Sequence, residues 1–259
     1  MLDLRYIKQY YPANLQGFER ELLREYLQCI LLQILYDSPL GRQFIFLGGT
    51  CLRLVHDNSR FSEDLDFDNL AITPDQFDAV AELMDKELTG QGYHVEIQVV
   101  GKGAYRCNVR FPQMLYQQGL SDYREEKILI QLDTEAQRFE FTPDSYILNR
   151  FGVFTQLLVT PLDLILAQKC YAILNRPRNK GRDFYDVVFL LGRNVKPSYA
   201  YLEQKVGIAN AAELKERLIA RCERLDMNEQ GKDVAKFLFN PSDVRRVILF
   251  PDIIKQASL

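Results

Sequence analysis

The spacing of apolar and polar positions along this chain changes period several times, and each change marks an element. Between residues 14 and 37, Leu15, Phe18, Leu22, Tyr26 and Cys29 recur at near-helical spacing with charges opposite, which predicts a long amphipathic helix ended by Ser38-Pro39-Leu40-Gly41. Phe44, Ile45, Phe46 and Leu47 form a short apolar run that reads as a buried strand. Gly48 and Gly49 break it, and Thr50 opens a helical segment through Leu52, Leu54 and Val55. After a polar turn, Asp64-Leu65-Asp66-Phe67-Asp68 alternates carboxylate with apolar side chain, the period of a strand with one face in a core. Thr73-Pro74-Asp75 signals a helix running to about Leu88. Residues 93–100 and 104–111 alternate as the arms of a hairpin turned at Gly101-Lys102-Gly103. Residues 127–134 predict a further strand, with Ile128, Ile130 and Leu132 on one face and Gln131 and Asp133 on the other. Residues 152–159 read as one more strand or an extended connector. Thr160 then reads as a helix cap with Pro161 in the first helical position, and the pattern stays helical to Leu259. A boundary near 158 follows, with an α+β domain over 1–158 and a helical domain over 159–259.

The stretch from Gln43 to Asn69 carries the strongest chemical signal. Alternate side chains of a strand share a face, so Asp64, Asp66 and Asp68 are expected to point together while Leu65 and Phe67 enter the core. Like charges so placed repel, and a divalent cation is the natural compensation, since Mg²⁺ binds through carboxylates together with substrate phosphates. A strand that ends in Gly-Gly and passes into a helix lets backbone approach a phosphate near free N–H groups. The plainer reading is a tight turn followed by a solvated acidic strand edge. Neither piece is specific alone; the order strand, Gly-Gly-Thr, helix, Asp-Leu-Asp is far more so.

Gly48-Gly49-Thr50, Leu52-Arg53-Leu54 and the run from Arg60 to Phe67 (RFSEDLDF) resemble the signature of the AbiEii/AbiGii-type toxin nucleotidyltransferases. That family lies within the DNA-polymerase-β-like nucleotidyltransferase superfamily, whose usual Gly-Ser is replaced here by Gly48-Gly49-Thr50. The resemblance implies a polymerase-β-like mixed sheet with flanking helices, followed by the C-terminal helical domain. It also implies a third acid on a later strand, and Asp133 fits that place; by position alone Asp133 is an ordinary strand-terminal, turn-initiating aspartate.

A second match lies in the helical half. On the predicted helix 162–174, Lys169 falls among Leu162, Ile165, Leu166 and Ile173, in the middle of an apolar face. A lysine there either snorkels outward or meets a buried anion. A basic loop over 175–182 follows, and then Arg182-Asp183-Phe184-Tyr185-Asp186 opens an apolar helix. Asp183 is equally suited to favour a helix dipole. Lysine, basic loop and Arg-Asp-aromatic-aromatic-Asp resemble the family's C-terminal motif, so the matches span about 43–69 and 162–191.

By that resemblance Asp64, Asp66 and Asp133 are the expected ligands of Mg²⁺ or Mn²⁺, and Lys169 and Asp183 join them as catalytic residues. Gly48, Gly49, Thr50, Arg53, Arg60, Ser62, Lys169, Arg182 and Asp186 are the expected nucleotide contacts. The implied reaction moves an NMP from an NTP to an acceptor hydroxyl. The implied acceptor is RNA, commonly the tRNA 3′ end, and the implied setting is a toxin paired with a separately encoded antitoxin. Adenylylation of a protein hydroxyl keeps the same site, and a nucleotide-binding regulatory module without turnover is the reading from another class.

Composition narrows the field only a little. Of 259 residues, 47% are hydrophobic and 26% charged, as in ordinary globular domains. The five cysteines are scattered singly, which argues against a disulfide framework or a zinc ribbon. Only His56 and His94 are present, so histidine-based metal sites and serine–histidine triads lack support. No run approaches a membrane span and the first residues lack a signal-peptide core, so a cytoplasmic protein is expected. Net charge is −3, but residues 1–159 carry 15 Lys and Arg against 23 Asp and Glu, and residues 160–259 carry 17 against 12. An acidic half joined to a basic half suits a metal held by one and a polyanion held by the other.

Overall fold

The apolar runs are explained by a mixed sheet with helices against it. A computed structural model describes residues 3–101 and 105–259, so Lys102 and Gly103 of the expected hairpin turn, and Ala104, lie outside the described residues. The chain divides into two compact units, one of residues 1–51 and 62–159 and the other of 52–61 and 160–259. The segment 52–61, read from the sequence as part of the N-terminal domain, thus groups with the C-terminal helices.

In the first unit the strands are β1 (Phe44–Leu47), β2 (Leu65–Asn69), β3 (Glu96–Val100), β4 (Tyr105–Pro112), β5 (Lys127–Thr134), β6 (Asp144–Arg150) and β7 (Val153–Val159). They form one sheet in the order β3-β4-β5-β2-β1-β7-β6. β1 runs antiparallel to β2 and parallel to β7, and β2 runs parallel to β5, so the sheet is mixed as expected. Helices α1 (Leu4–Lys8), α2 (Glu19–Tyr36), α3 (Gly48–Leu54), α4 (Pro74–Gly90) and α5 (Met114–Gln117) interleave with the strands, α3 carrying the chain out of this unit.

Helix α2 buries Leu22, Leu23, Leu27, Leu31 and Leu35 and packs on β7. Each fully buried leucine contributes roughly 1.5–3 kcal/mol. The Tyr36 hydroxyl, at the end of α2, hydrogen-bonds to the carbonyls of Phe44 on β1 (3.1 Å) and Leu158 on β7 (2.9 Å). Phe67 sets its ring 5.6 Å from Phe44 and 5.5 Å from Phe46, which fixes the β1–β2 pair from inside. Helix α4 starts at the Thr73 capping box, where Thr73 and Gln76 satisfy each other's backbone N–H groups.

The second unit holds α6 (Leu162–Asn175), α7 (Gly181–Gly192), α8 (Tyr199–Val206), α9 (Ala211–Cys222), α10 (Met227–Ala235), α11 (Val244–Ile248) and α12 (Phe250–Gln256). Helix α6 is buried through Leu164, Ile165, Leu166, Cys170 and Ile173 and packs against α7, α8 and α9. Phe184 of α7 meets Phe250 of α12 edge-on at 5.0 Å. Helices α7 and α10 approach so closely that a Cβ on Gly181 would lie 2.0 Å from the Gln230 carbonyl oxygen.

Several elements depart from the expectation for local reasons. Asp68, two residues along β2 from Asp66, is buried instead of open to solvent, and accepts a hydrogen bond from the Gln137 N–H at 2.8 Å. β6 was not anticipated, because as an edge strand it buries only Leu148 and carries no regular alternation. Thr160 caps nothing; α6 begins at Leu162 with no side-chain cap. Helix α10 starts at Met227, where the Asp226 carboxylate caps the N–H groups of Asn228 and Glu229. All five cysteines are buried and free.

The α7–α10 contact supplies a test of this packing. Gly181→Ala is expected to lower unfolding free energy by about 1–3 kcal/mol, because a methyl against backbone cannot be relieved by a rotamer change. Gly192→Ala, where nothing lies within 4 Å of the added Cβ, is expected to be neutral or slightly stabilising. Urea unfolding of the two variants measures the difference.

Candidate active site

The sheet register decides which acids meet. Asp66 on β2 is the partner of Leu47 on β1 and of Asp133 on β5. Asp133 is in turn the partner of Arg106 on β4. Directly paired residues project to the same face, so Asp66, Asp133 and Arg106 form one cross-strand row. The fork of Arg106 grips the Asp133 carboxylate, Nε to Oδ1 at 2.6 Å and Nη2 to Oδ2 at 2.9 Å. Asp133 first, then Asp64 and Asp66 at longer range, hold the guanidinium above its ordinary pKa. The two expected strand acids therefore lie side by side, with a cation that the sequence reading did not anticipate.

The glycine turn fits closely around Asp66. Gly48 has φ +80°, and a Cβ there would lie 2.5 Å from Asp66 Oδ2, so the missing side chain leaves room for the carboxylate. Thr50 is fully buried, and its hydroxyl donates to the Asp64 carbonyl oxygen, positioning the start of β2. From α2, the Gln28 amide donates to the carbonyls of Ser62 (3.1 Å) and Glu63 (3.0 Å), holding the same peptide from the other side. The Ser62 residue is itself nearly buried.

The remaining candidates belong to the helical unit. Asp186 is completely buried, and its carboxylate takes both arms of Arg60 (2.7 Å each), the Asn58 amide (2.8 Å) and Lys169 Nζ (2.9 Å). Burial alone would raise the Asp186 pKa; Arg60 and Lys169 outweigh it and hold the carboxyl far below the usual range. Burial likewise opposes the charge on Lys169, and Asp186 followed by Asp183 more than restores it. Asp183 accepts from Lys169 at 3.0 Å and from Arg176 at 2.8 Å. Of the two outcomes open to a lysine on an apolar helix face, Lys169 meets buried anions, and these anions are protein carboxylates.

Arg53 lies over the Phe239 ring at 4.6 Å and donates to the Asn58 carbonyl at 3.3 Å. Arg182 lies over Phe237 at 4.7 Å. Arg221 of α9 donates to the Asn179 side chain and to the Arg176 carbonyl, and so braces the basic loop. The N-terminus of α7 is met by Asp233, which accepts from the Gly181 N–H at 2.8 Å.

Among the described residues no three His, Cys, Asp or Glu side chains are gathered as they would be around a metal ion. The acids nonetheless suit a hard cation: all donors are oxygen, and Gly48 leaves space at the Asp66 carboxylate. Asp133, the third expected ligand, is engaged by Arg106.

Residues 30–242 match the family described as the nucleotidyl transferase AbiEii toxin of type IV toxin–antitoxin systems. The chain belongs to the AbiEii nucleotidyltransferase family. Its fold is similar to that of JHP933 from Helicobacter pylori, with a TM-score of 0.54 at 18% identity over 91% of this chain and 92% of that one. It is also similar to an H. pylori protein provisionally described as a nucleotidyltransferase, with a TM-score of 0.55 at 19% identity over 91% and 95%. No curated protein matches. As an AbiEii member the protein is a nucleotidyltransferase, and its family uses an NTP and a divalent metal and implies an antitoxin partner. No helix among the described residues is long and apolar enough to cross a membrane.

The sequence reading missed Arg106 and Asn58. Arg106 stood on a recognised strand, and only the register could have paired it with Asp133. Asn58 lay in a turn, where an amide reads as a turn residue.

Asp186 generates a sharp expectation. Asp186→Asn leaves the buried Arg60 without its carboxylate partner and takes from Lys169 one of its two, Asp183 being the other, and is expected to cost about 3–5 kcal/mol at neutral pH. A depressed folded-state pKa contributes stability that is present above the unfolded value near 4 and fades as pH falls toward the folded one. Wild-type stability should therefore decline on acidification below about pH 4 more steeply than that of the variant. Urea midpoints across that range show whether the two curves converge.

Proposed function

We propose that this AbiEii protein transfers an NMP from an NTP to a hydroxyl of RNA, the tRNA 3′ end being the foremost acceptor, in the cytoplasm, as the toxin restrained by a separately encoded antitoxin. The observation that carries the reading is the row Asp66–Asp133, set against a glycine whose missing side chain makes room for the Asp66 carboxylate. Family membership supports nucleotidyl transfer in general; the acceptor and the choice of Mg²⁺ are our reading.

In this scheme the acceptor oxygen attacks the α-phosphorus, the bond to the β-phosphate breaks and pyrophosphate leaves. Asp64 and Asp66 would hold a divalent cation, Mg²⁺ or Mn²⁺, which when bound supplies positive charge against the triphosphate. Asp133 accepts the hydroxyl proton once its carboxylate is free to do so. Gly48 and Gly49 present backbone to the phosphates, while Thr50 and Ser62 serve by fixing the peptide that carries Asp64. Lys169, held charged by Asp183 and Asp186, is assigned by family likeness to the leaving pyrophosphate. Arg53, Arg60 and Arg182 act chiefly by building the helical unit, since each is engaged with a carboxylate, a carbonyl or a ring within it.

Asp66→Ala is expected to abolish transfer while shifting unfolding free energy by no more than about 0.5 kcal/mol, because the lost carboxylate is only half-buried. Incubation with each α-³²P-labelled NTP and either total RNA or lysate protein identifies the acceptor. Label in RNA supports the reading, label confined to a protein band replaces it with protein nucleotidylation, and full activity of the variant removes the assignment of Asp66.

A further inference from the structure

The Arg106–Asp133 pair differs in kind from the ion pairs of the helical unit. Arg106 is 49% exposed and Asp133 30%, whereas Arg60 and Asp186 are 1% and 0% exposed. A pair open to water is worth about 1 kcal/mol or less, so it can be exchanged for another partner at little cost. Its geometry is nevertheless well defined, with two parallel N–H···O bonds that occupy both carboxylate oxygens. Withdrawing Arg106 takes one positive charge from the row and frees both carboxylate oxygens of Asp133.

We propose that Arg106 is an internal counter-ion that withholds Asp133 from divalent cations in the nucleotide-free protein and yields it only when cation and nucleotide phosphate arrive together. Arg106 is then a positioning residue that gates metal loading and prevents the three acids from filling with cations before substrate is present. The released fork, with two N–H donors side by side, is itself suited to a phosphate. This inference rests on the reading of Asp64 and Asp66 as cation ligands, and the controls below separate the two.

Mn²⁺ binding to the full chain, followed by loss of the free-ion electron paramagnetic resonance signal, tests it directly. Without nucleotide, wild type is expected to take up one Mn²⁺, and Arg106→Gln to bind a second ion or to bind the first about tenfold tighter, since a unit positive charge has been removed from the cluster. Arg106→Lys, which keeps the charge without the fork, is expected to fall between. With a non-hydrolysable NTP analogue present, wild type and Arg106→Gln should become nearly equal. Unchanged stoichiometry and affinity in Arg106→Gln overturn the gate alone, provided Asp66→Asn abolishes the wild-type binding. Wild-type binding indifferent to Asp66→Asn, or no binding in any variant, overturns the cation reading and the gate with it. A second measurement needs no perturbed cluster. The Arg106 Nε–H resonance of wild type, assigned by its loss in Arg106→Lys, should shift when Mg²⁺ and the analogue are added together, and an unmoved resonance also overturns the proposal.

Discussion

The pairing of β2 with β1 on one side and β5 on the other is the constraint on which the site depends. Leu65 and Phe67 are buried, with Phe67 wedged against Phe44 and Phe46, so β2 has no freedom to slip by one residue without expelling both side chains from the core. That register makes Asp66 the neighbour of Asp133 and brings its carboxylate beside the backbone of Gly48. Two carboxylates on adjacent strands repel, and the fold tolerates them because Arg106 grips Asp133 and hydrophobic burial beneath the row fixes the strands. The position of the acids is thus set by side chains that never touch a substrate.

The helical unit solves a different electrostatic problem. Asp186 cannot be hydrated, so its charge is sustained only by the Arg60 fork, Lys169 and the Asn58 amide. Three of these four residues lie outside α7, and two of them, Asn58 and Arg60, lie in the segment 52–61 that groups with the C-terminal helices. The segment is held further by the Phe61 N–H on the Phe237 carbonyl at 2.8 Å and by Phe61 against the Phe239 ring at 4.6 Å. Arg60 and Asp64 stand four residues apart in one signature yet do separate work. The arginine anchors this excursion of the chain, and the aspartate begins the return to the sheet.

Much of the fold was legible because it rests on periodicity. The strand at 127–134 was read with its observed ends, since burial alternates cleanly along it. The edge strand β6 was illegible because a strand half in water has no need of alternation. At the site, the motif located Asp64, Asp66 and Gly48, but their partners required three dimensions. Lys169 shows the limit most clearly. Its apolar face allowed either outward snorkelling or a buried anion, and helical spacing could not distinguish phosphate from the carboxylates of Asp183 and Asp186 that the lysine meets. Arg106 was invisible for a simpler reason, since an arginine on the open face of a strand is ordinary until its register partner is known.

The two ion-pair systems also differ in what they permit. A buried pair loses several kcal/mol when one partner leaves, so the Arg60–Asp186 contact behaves as a fixed part of the scaffold at neutral pH. A half-exposed pair is continually in exchange with water and salt, so the Arg106–Asp133 contact responds to whatever other charge approaches. An enzyme acting on a polyanion benefits from both. Its scaffold must not rearrange each time a triphosphate and its cation arrive, while the acids that receive them must not be committed beforehand to a stable alternative. Placing the rigid network in the helical core and the labile one on the sheet surface meets both needs with the same two residue types, separated only by their exposure to solvent.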